Sequence, residues 1–145
     1  MEAKKILLAE DDSDDQNLFY EFLGHRTDIK LMPVVEDGVA LLHLLENIPH
    51  PEELPDLIIL DQNMPKRTGL QTLQCLKEIS RFTHIPVVIY STYTDTGLVK
   101  VCSGMGACAV KSKPITMEGY NQMIDEFLKM IYEGNGDLGG DMNRQ

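Results

Sequence analysis

Five short apolar runs alternate along this chain with segments in which apolar residues recur at the spacing of a helix face. The runs occupy residues 5–9, 29–35, 57–60, 86–91 and 107–110. Runs of this length, rich in Ile, Leu and Val, are typical of strands buried on both faces. Because such strands need helices on each side of the sheet, the pattern predicts an α/β domain with a five-stranded parallel sheet.

The intervening segments predict five helices. Their apolar faces cover residues 18–23, 39–45, 70–79, 98–105 and 120–131. The first helix is expected to begin at Ser13, because Asp14 and Asp15 then lie in its first turn, where acids favour the helix dipole. Five alternating units most often form a flavodoxin-like, doubly wound sheet, which is the expected fold.

Length and composition indicate one domain followed by a tail. The chain of 145 residues is long enough for a single sizeable core. We expect the domain to span residues 4–133, with a proline-rich loop at 47–55. Residues 134–145 are poor in apolar side chains and are expected to form a disordered tail.

Charge and cysteine content narrow the class of partner and the compartment. The net charge of -10 argues against non-specific binding to nucleic acid or anionic lipid. The three cysteines are an odd number without a CxxC pair, which argues against a disulfide framework or zinc site. No apolar run approaches a membrane span and the amino terminus is a poor signal peptide, so a cytoplasmic protein is expected.

Chemically active side chains follow four of the five predicted strands. They are Glu10, Asp11 and Asp12 after the first, Asp61 after the third, Ser91 after the fourth and Lys113 after the fifth. Each alone has an ordinary explanation as a helix-start acid, a strand-end polar group or a surface lysine. Because the carboxyl ends of parallel strands share one edge of the sheet, we expect the set to converge there.

The predicted cluster suits phosphoryl chemistry. Carboxylates held close together repel unless a cation neutralises them, and an oxygen-only site of this kind suits Mg²⁺. A lysine and a hydroxyl add a positive charge and a hydrogen-bond donor. An aspartate can act as a nucleophile, so the set predicts a phosphoryl group stabilised on Asp61.

As a set, these motifs resemble the receiver domain of two-component response regulators over about residues 4–131. The resemblance rests on residues 6–12, 57–65, 86–91 and 113–114. These segments are similar to the family's acidic first strand, phosphoacceptor strand, hydroxyl-ending fourth strand and lysine–proline pair. The long loop before the third strand further resembles single-domain receivers associated with bacterial phytochromes.

The resemblance implies a role for each site residue. Asp61 would be phosphorylated by a sensor histidine kinase or a histidine phosphotransfer protein, and Ser91 and Lys113 would contact the phosphoryl group. The implied Mg²⁺ ligands are the carboxylates of Glu10, Asp11 and Asp61 and the backbone carbonyl of Asn63. Asp11 with Asp12 is the alternative acidic pair.

The resemblance also implies how such a protein signals. It would be a free-standing receiver that binds a downstream protein when phosphorylated, and not an enzyme beyond slow self-catalysed phosphotransfer and autodephosphorylation. No output domain, nucleic acid or membrane is expected as a partner. Receivers of this family often pair through the fourth helix, fifth strand and fifth helix, so a homodimer through these elements is a further expectation.

Three positions bear on switching and lifetime. Val110 stands three residues before Lys113, where many receivers carry an aromatic residue whose movement reports phosphorylation. We therefore hypothesise that switching here does not use that aromatic rotamer. The resemblance also implies that Asn63 and Tyr93, two residues after Asp61 and Ser91, flank the path of the water that attacks the phosphoryl group. The bulky Tyr93 is therefore predicted to slow autodephosphorylation.

Three rival interpretations differ in testable ways. A flavin-binding flavodoxin needs a phosphate loop after the first strand, where this chain carries acids that repel phosphate. A phosphohydrolase with an aspartyl nucleophile typically has a second acid two residues later, where this chain has Asn63. A degenerate receiver that only binds partners remains open because of Val110.

Overall fold

Strands and helices alternate in the order that the apolar runs predict. The structure is a computed structural model and describes residues 2–134. The strands are β1 (Lys4–Ala9), β2 (Ile29–Leu31), β3 (Leu57–Asp61), β4 (Val87–Ser91) and β5 (Ala109–Ser112). The helices are α1 (Ser13–Leu23), α2 (Gly38–Glu46), α3 (Gly69–Glu78), α4 (Thr96–Gly104) and α5 (Met117–Gly134). A 3-10 turn at Pro51–Glu53 lies in the proline-rich loop.

All strand pairings are parallel, in the order β2-β1-β3-β4-β5. The expected flavodoxin-like α/β fold is therefore confirmed. In this order β3 lies at the centre of the sheet, between β1 and β4. Because the strands are parallel, the carboxyl ends of the three central strands reach the same edge, which is where ligands bind in open α/β sheets.

The sheet carries one half of the core on each face, because alternate side chains of a strand point to opposite sides. One cluster joins the sheet to α2, α3 and α4, and includes Leu41, Leu73, Leu76 and Cys102. The other joins it to α1 and α5, and includes Phe19, Leu23, Ile124 and Phe127. Every residue of β3 and β4 is buried, as expected for central strands covered on both faces.

Two strand boundaries differ from the sequence prediction. β2 ends at Leu31 instead of continuing to Val35, because Pro33 has no N–H to donate to the ladder. The chain rejoins β1 through a bridge between Ala9 and Val35. β5 covers Ala109–Ser112 instead of residues 107–110, because its register with β4 pairs Ser91 with Ser112. The shift brings the strand end next to Lys113.

The ends of the domain bear on two further expectations. Helix α1 begins at Ser13 as predicted, and Asp12 caps it by accepting the N–H of Asp15 at 3.3 Å. At the other end, Gly134 is the last residue of α5, and the rest of the predicted tail at 134–145 lies outside the described residues. Within residues 2–134, no helix has both the length and the apolar character that crossing a membrane requires.

Candidate functional site

The carboxyl ends of β1, β3, β4 and β5 bring the predicted side chains together. Asp61 is the last residue of β3 and is 2% exposed, whereas Glu10 directly follows β1 and is 0% exposed. Ser91 ends β4 and Lys113 follows β5, and the Lys113 N–H donates to the Ser91 carbonyl at 2.8 Å. The edge of the sheet thus gathers two buried acids, a hydroxyl and a lysine.

The ammonium group of Lys113 is shared by three carboxylates. Its Nζ lies 2.9 Å from Oε1 of Glu10, 2.9 Å from Oδ2 of Asp15 and 3.3 Å from Oδ2 of Asp61. Burial lowers the pKa of this lysine, but hydrogen bonds to Asp15 and Glu10 outweigh burial and raise its pKa overall. Lys113 is therefore a permanent positive charge at neutral pH.

Asp61 lies in surroundings that disfavour its negative charge. Burial, together with the hydrogen bond and negative charge of Glu10, raises the pKa of Asp61 to about 7. The charge of Lys113 and the Asn63 N–H, which donates to Oδ1 at 3.1 Å, lower that pKa only in part. One lysine does not neutralise the acids around it, so the site has room for a further positive charge.

Carboxylate oxygens of Glu10, Asp11 and Asp61 lie within 4.8 Å of one another. Asp11 is exposed while the other two are buried, so the group opens to solvent on one side. All three donors are hard oxygens, the type that Mg²⁺ prefers, and their surplus negative charge favours a cation. The donor set therefore fits a divalent cation of this class.

The alternative acid and the fourth implied ligand lie beside this group. Asp12 caps α1 through its carboxylate, so its side chain is engaged at the helix terminus. This geometry favours Glu10 with Asp11 over Asp11 with Asp12 as the acidic pair. For Asn63 the structure shows the N–H bonded to Asp61, and the role of its carbonyl as a ligand stays a prediction.

Ser91 is buried at the end of β4, the strand that pairs with the Asp61 strand β3, and it is bonded to the following loop. Its Oγ accepts the N–H of Tyr93 at 3.3 Å. The side chain of Tyr93 is 76% exposed, so it stands in solvent at the rim of the site. In this loop, Thr94 Oγ1 lies 3.2 Å from Ser112 Oγ, which links the loop to the end of β5.

Val110 lies in β5, three residues before Lys113. It is partly buried and packs against the core cluster on the α2, α3 and α4 side of the sheet. This side chain cannot swing as a large ring does between exposed and buried positions. The hypothesis that switching avoids an aromatic rotamer stays a prediction.

Two residues of the site were missed by sequence reasoning. Asp15 was interpreted as a helix-start acid, yet it binds Lys113. No local signal marks this contact, because the two residues lie 98 positions apart in the chain. Tyr90 was interpreted as a core strand residue, yet its hydroxyl donates to Oε1 of Glu10 at 2.9 Å. A tyrosine buried in a central strand normally finds such a partner.

Sequence comparison identifies relatives of known type. Residues 6–125 match the family described as the response regulator receiver domain. Response regulator Rcp1 of Synechocystis sp. is 36% identical over 95 residues, which cover 61% of this chain and 62% of that protein. The probable C4-dicarboxylate response regulator DctR of Bacillus subtilis is 28% identical over 136 residues, or 92% of this chain and 57% of that protein. The matched regions thus span about three fifths of these two relatives.

Solved structures share the fold and most of the chain. The Mn²⁺-bound form of response regulator Rcp1 has a TM-score of 0.71 and 30% identity, covering 86% of this chain and 91% of that chain. The phosphorylated cyanobacterial phytochrome response regulator RcpA has a TM-score of 0.73 and 25% identity, covering 92% and 96%. The family match, the shared fold and the acidic site at the sheet edge lead to one conclusion. The chain belongs to the response regulator receiver domain family, whose function is phosphorylation-dependent signalling.

Proposed function

We propose that Asp61 accepts a phosphoryl group from a histidine of a sensor histidine kinase or a histidine phosphotransfer protein. The observation that carries this proposal is the convergence of Glu10, Asp11 and Lys113 on the buried carboxylate of Asp61. In the transfer, a carboxylate oxygen forms a bond to phosphorus while the phosphorus–nitrogen bond breaks. The imidazole keeps the electron pair and leaves as the neutral ring once protonated.

The surrounding residues would stabilise the charge of the transferred group. The Lys113 ammonium would exchange part of its contacts with carboxylates for contacts with the phosphoryl oxygens. The Ser91 hydroxyl would donate a hydrogen bond to one of the phosphoryl oxygens. The proposed cation ligands are the carboxylates of Glu10, Asp11 and Asp61 and the backbone carbonyl of Asn63. Bound Mg²⁺ supplies charge neutralisation for the phosphoryl oxygens.

The proposed output is protein binding by the receiver domain itself, which we place at residues 4–133. The support comes from two similar response regulators. The structural match covers 91% of the Rcp1 chain and 96% of the RcpA chain, so these crystallised chains consist almost entirely of this domain. Because RcpA is a phytochrome response regulator, we propose that a sensor kinase of the phytochrome class donates the phosphoryl group, and that the transfer takes place in the cytoplasm.

We further propose that two copies of the chain pair through α4, β5 and α5. The exposed side chains of Val99 and Val101 on α4 support this pairing.

Intact mass after incubation with acetyl phosphate and Mg²⁺ tests the acceptor. The parent protein is expected to gain the mass of one phosphoryl group, and Asp61→Asn is expected to gain none. When Mg²⁺ is left out and a chelator is added, the gain in mass should be much slower. Gain in neither protein, or equal gain in both, would show that Asp61 is not the acceptor.

The same samples separate the proposal from its rivals. Stoichiometric labelling followed by slow loss of the label fits a receiver that is not a turnover enzyme. Continuous release of phosphate from an aryl phosphate would instead indicate a phosphohydrolase. A purified protein that is yellow and releases a flavin on unfolding would indicate a flavodoxin.

A further inference from the structure

A buried tyrosine contacts the acidic site from inside the core. Tyr90 lies in β4 and is 0% exposed, with its ring in the cluster that joins the sheet to α1 and α5. Its hydroxyl donates to Oε1 of Glu10 at 2.9 Å, and Glu10 is itself fully buried. An apolar residue at this position would fill the same space, so the hydroxyl serves the carboxylate and not the packing.

Both oxygens of Glu10 have partners, and the partners differ in mobility. Oε2 accepts the backbone N–H of Asp12 at 3.1 Å. Oε1 is shared between the Tyr90 hydroxyl and the Lys113 ammonium, each at 2.9 Å. The lysine sits on a flexible four-carbon stem, whereas the tyrosine ring is fixed by the core around it.

Tyr90 also contacts the other half of this ion pair. The Lys113 ammonium lies 5.2 Å from the centroid of the Tyr90 ring. Within the described site, one side chain therefore touches the acid through its hydroxyl and the lysine through its ring face. Such a side chain sets the distance between them as well as the orientation of the carboxylate.

The arrangement matters most when Lys113 turns to a phosphoryl group on Asp61. Oε1 of Glu10 then loses its ionic partner while it remains buried, and a buried carboxylate oxygen without a donor is unfavourable. The Tyr90 hydroxyl stays in place and keeps Oε1 hydrogen-bonded. It also holds the Glu10 side chain in the orientation that places its oxygens near those of Asp11 and Asp61.

We propose that Tyr90 is a positioning residue that orients Glu10 for cation binding and remains the hydrogen-bond donor to Oε1 when Lys113 moves to the phosphoryl group. The inference rests on the proposed function, because it concerns the same cation site. Carboxylates that bind metals are commonly held by such outer hydrogen bonds, and removing one typically weakens metal binding 10- to 100-fold.

The test compares Tyr90→Phe with Tyr120→Phe in the full chain. Tyr120 is a matched control, because it is equally buried in the same cluster, where its ring packs on Phe19 and Phe22. Mg²⁺ is titrated by calorimetry into phosphate-free protein. We expect the dissociation constant to rise about tenfold for Tyr90→Phe and to stay within about twofold of the parent for Tyr120→Phe. Beryllium fluoride, titrated at saturating Mg²⁺, should also bind more weakly to Tyr90→Phe.

The outcomes separate this inference from the proposed function. A Tyr90→Phe protein that is folded and binds Mg²⁺ as the parent does would overturn the inference and leave the cation site standing. Equal weakening of Mg²⁺ binding in Tyr90→Phe and Tyr120→Phe would assign the effect to core packing, and it would also overturn the inference. A parent protein that does not bind Mg²⁺ would overturn the proposed site and the inference together.

A measurement on the parent sequence keeps the test decisive if Tyr90→Phe does not fold. The five tyrosines can be replaced uniformly by 3-fluorotyrosine and followed by fluorine NMR. Single Tyr→Phe changes at the other four positions assign the Tyr90 resonance by elimination. We expect Mg²⁺ to shift this resonance and to leave that of exposed Tyr132 unchanged. An unmoved Tyr90 resonance at saturating Mg²⁺ would contradict the inference.

Discussion

At the scale of single residues, the site is organised by competition for one ammonium group. Lys113 binds the carboxylates of Glu10, Asp15 and Asp61 at once. Any phosphoryl group on Asp61 must draw the lysine away from some of these partners. The number and placement of the competing acids therefore set how readily Lys113 becomes available, and Asp15 is the competitor outside the proposed cation site.

Replacing Asp15 with asparagine should speed labelling by acetyl phosphate about threefold at low ionic strength. The change removes a negative charge 2.9 Å from Lys113, which leaves the lysine freer and repels the anionic donor less. The initial rate of mass gain measures the effect, which should shrink at high salt. Asp14→Asn is the matched control, because Asp14 is an exposed acid of the same helical turn. A slower labelling rate for Asp15→Asn than for the parent would contradict the idea that Asp15 competes for Lys113.

Tyr93→Ala should shorten the lifetime of the phosphorylated protein about threefold, or about 0.7 kcal/mol of activation free energy. The exposed ring stands at the rim of the site, two residues after Ser91, where it would obstruct the attacking water. Decay of the phosphorylated mass after removal of the donor gives the rate. Tyr132→Ala removes an exposed ring from α5 and should leave the rate unchanged. If the phosphorylated Tyr93→Ala protein had the same lifetime as the parent, Tyr93 would not obstruct the attacking water.

At the scale of elements, α5 is fastened to the chain segment that follows α1. Arg26 bonds to Asp28 and to Asp125, each at 2.7 Å, and its Nη1 reaches Oδ1 of Asn121 at 3.1 Å. Asn121 in turn donates to the Phe22 carbonyl at 3.1 Å. The α1–α5 side is therefore cross-linked by polar contacts, whereas α4 contributes Cys102 as its buried residue and packs partly buried Leu98 against the core. We expect rearrangement on phosphorylation to involve α4 more than α5.

This fastening predicts a pH dependence of stability. A hydrogen bond and positive charge from Arg26 lower the pKa of Asp28 below its unfolded value of about 3.9. The stabilisation is therefore present above about pH 4 and is lost as pH falls through the lowered pKa. Urea unfolding should show Asp28→Asn less stable than the parent at pH 6, by under about 1 kcal/mol because the group is half exposed.

The difference between Asp28→Asn and the parent should disappear at acidic pH, where the parent's carboxylate becomes protonated. Glu21→Gln serves as the control, because Glu21 is an exposed acid on the nearby helix α1. This variant should keep the pH profile of the parent. A difference for Asp28→Asn that stays constant across the series would assign its effect to packing instead of charge.

At the scale of the whole molecule, the fold carries its site at a cost in stability. The edge of the sheet buries Glu10 and Asp61 side by side on a chain whose net charge is already -10. Burial and Glu10 disfavour the charged form of Asp61, which the proposed chemistry requires. Such destabilised arrangements are common where function and stability conflict.

Asp61→Asn should therefore be more stable than the parent in metal-free buffer, by on the order of 1–2 kcal/mol. The amide keeps the size of the side chain and removes the charge that Glu10 repels. Chemical unfolding with a chelator present measures the difference. Adding Mg²⁺ should narrow it, because the cation stabilises the parent by binding its folded state. A less stable Asp61→Asn under both conditions would contradict this account.

The sequence predicted those parts of the molecule that depend on local pattern. Runs of apolar residues gave the strands, and polar residues after them gave Glu10, Asp61 and Lys113. The end of β5 was wrong because its pairing with β4, and not the local run, sets it. The end of β2 was wrong because Pro33 interrupts the ladder within the apolar run. Tyr90 and Asp15 were missed because their partners lie 80 and 98 residues away in the chain. Such contacts follow from tertiary packing alone.

The distribution of the site over four strands makes it a sensor of the native state. Lys113 follows β5 whereas Glu10 follows β1, so the cluster exists only when the whole sheet has assembled. An unfolded or truncated chain keeps the carboxylate of Asp61 but loses its lysine and its neighbouring acids. At each concentration of denaturant, the fraction of molecules that acetyl phosphate labels would then report the fraction that is folded. No optical probe would be needed.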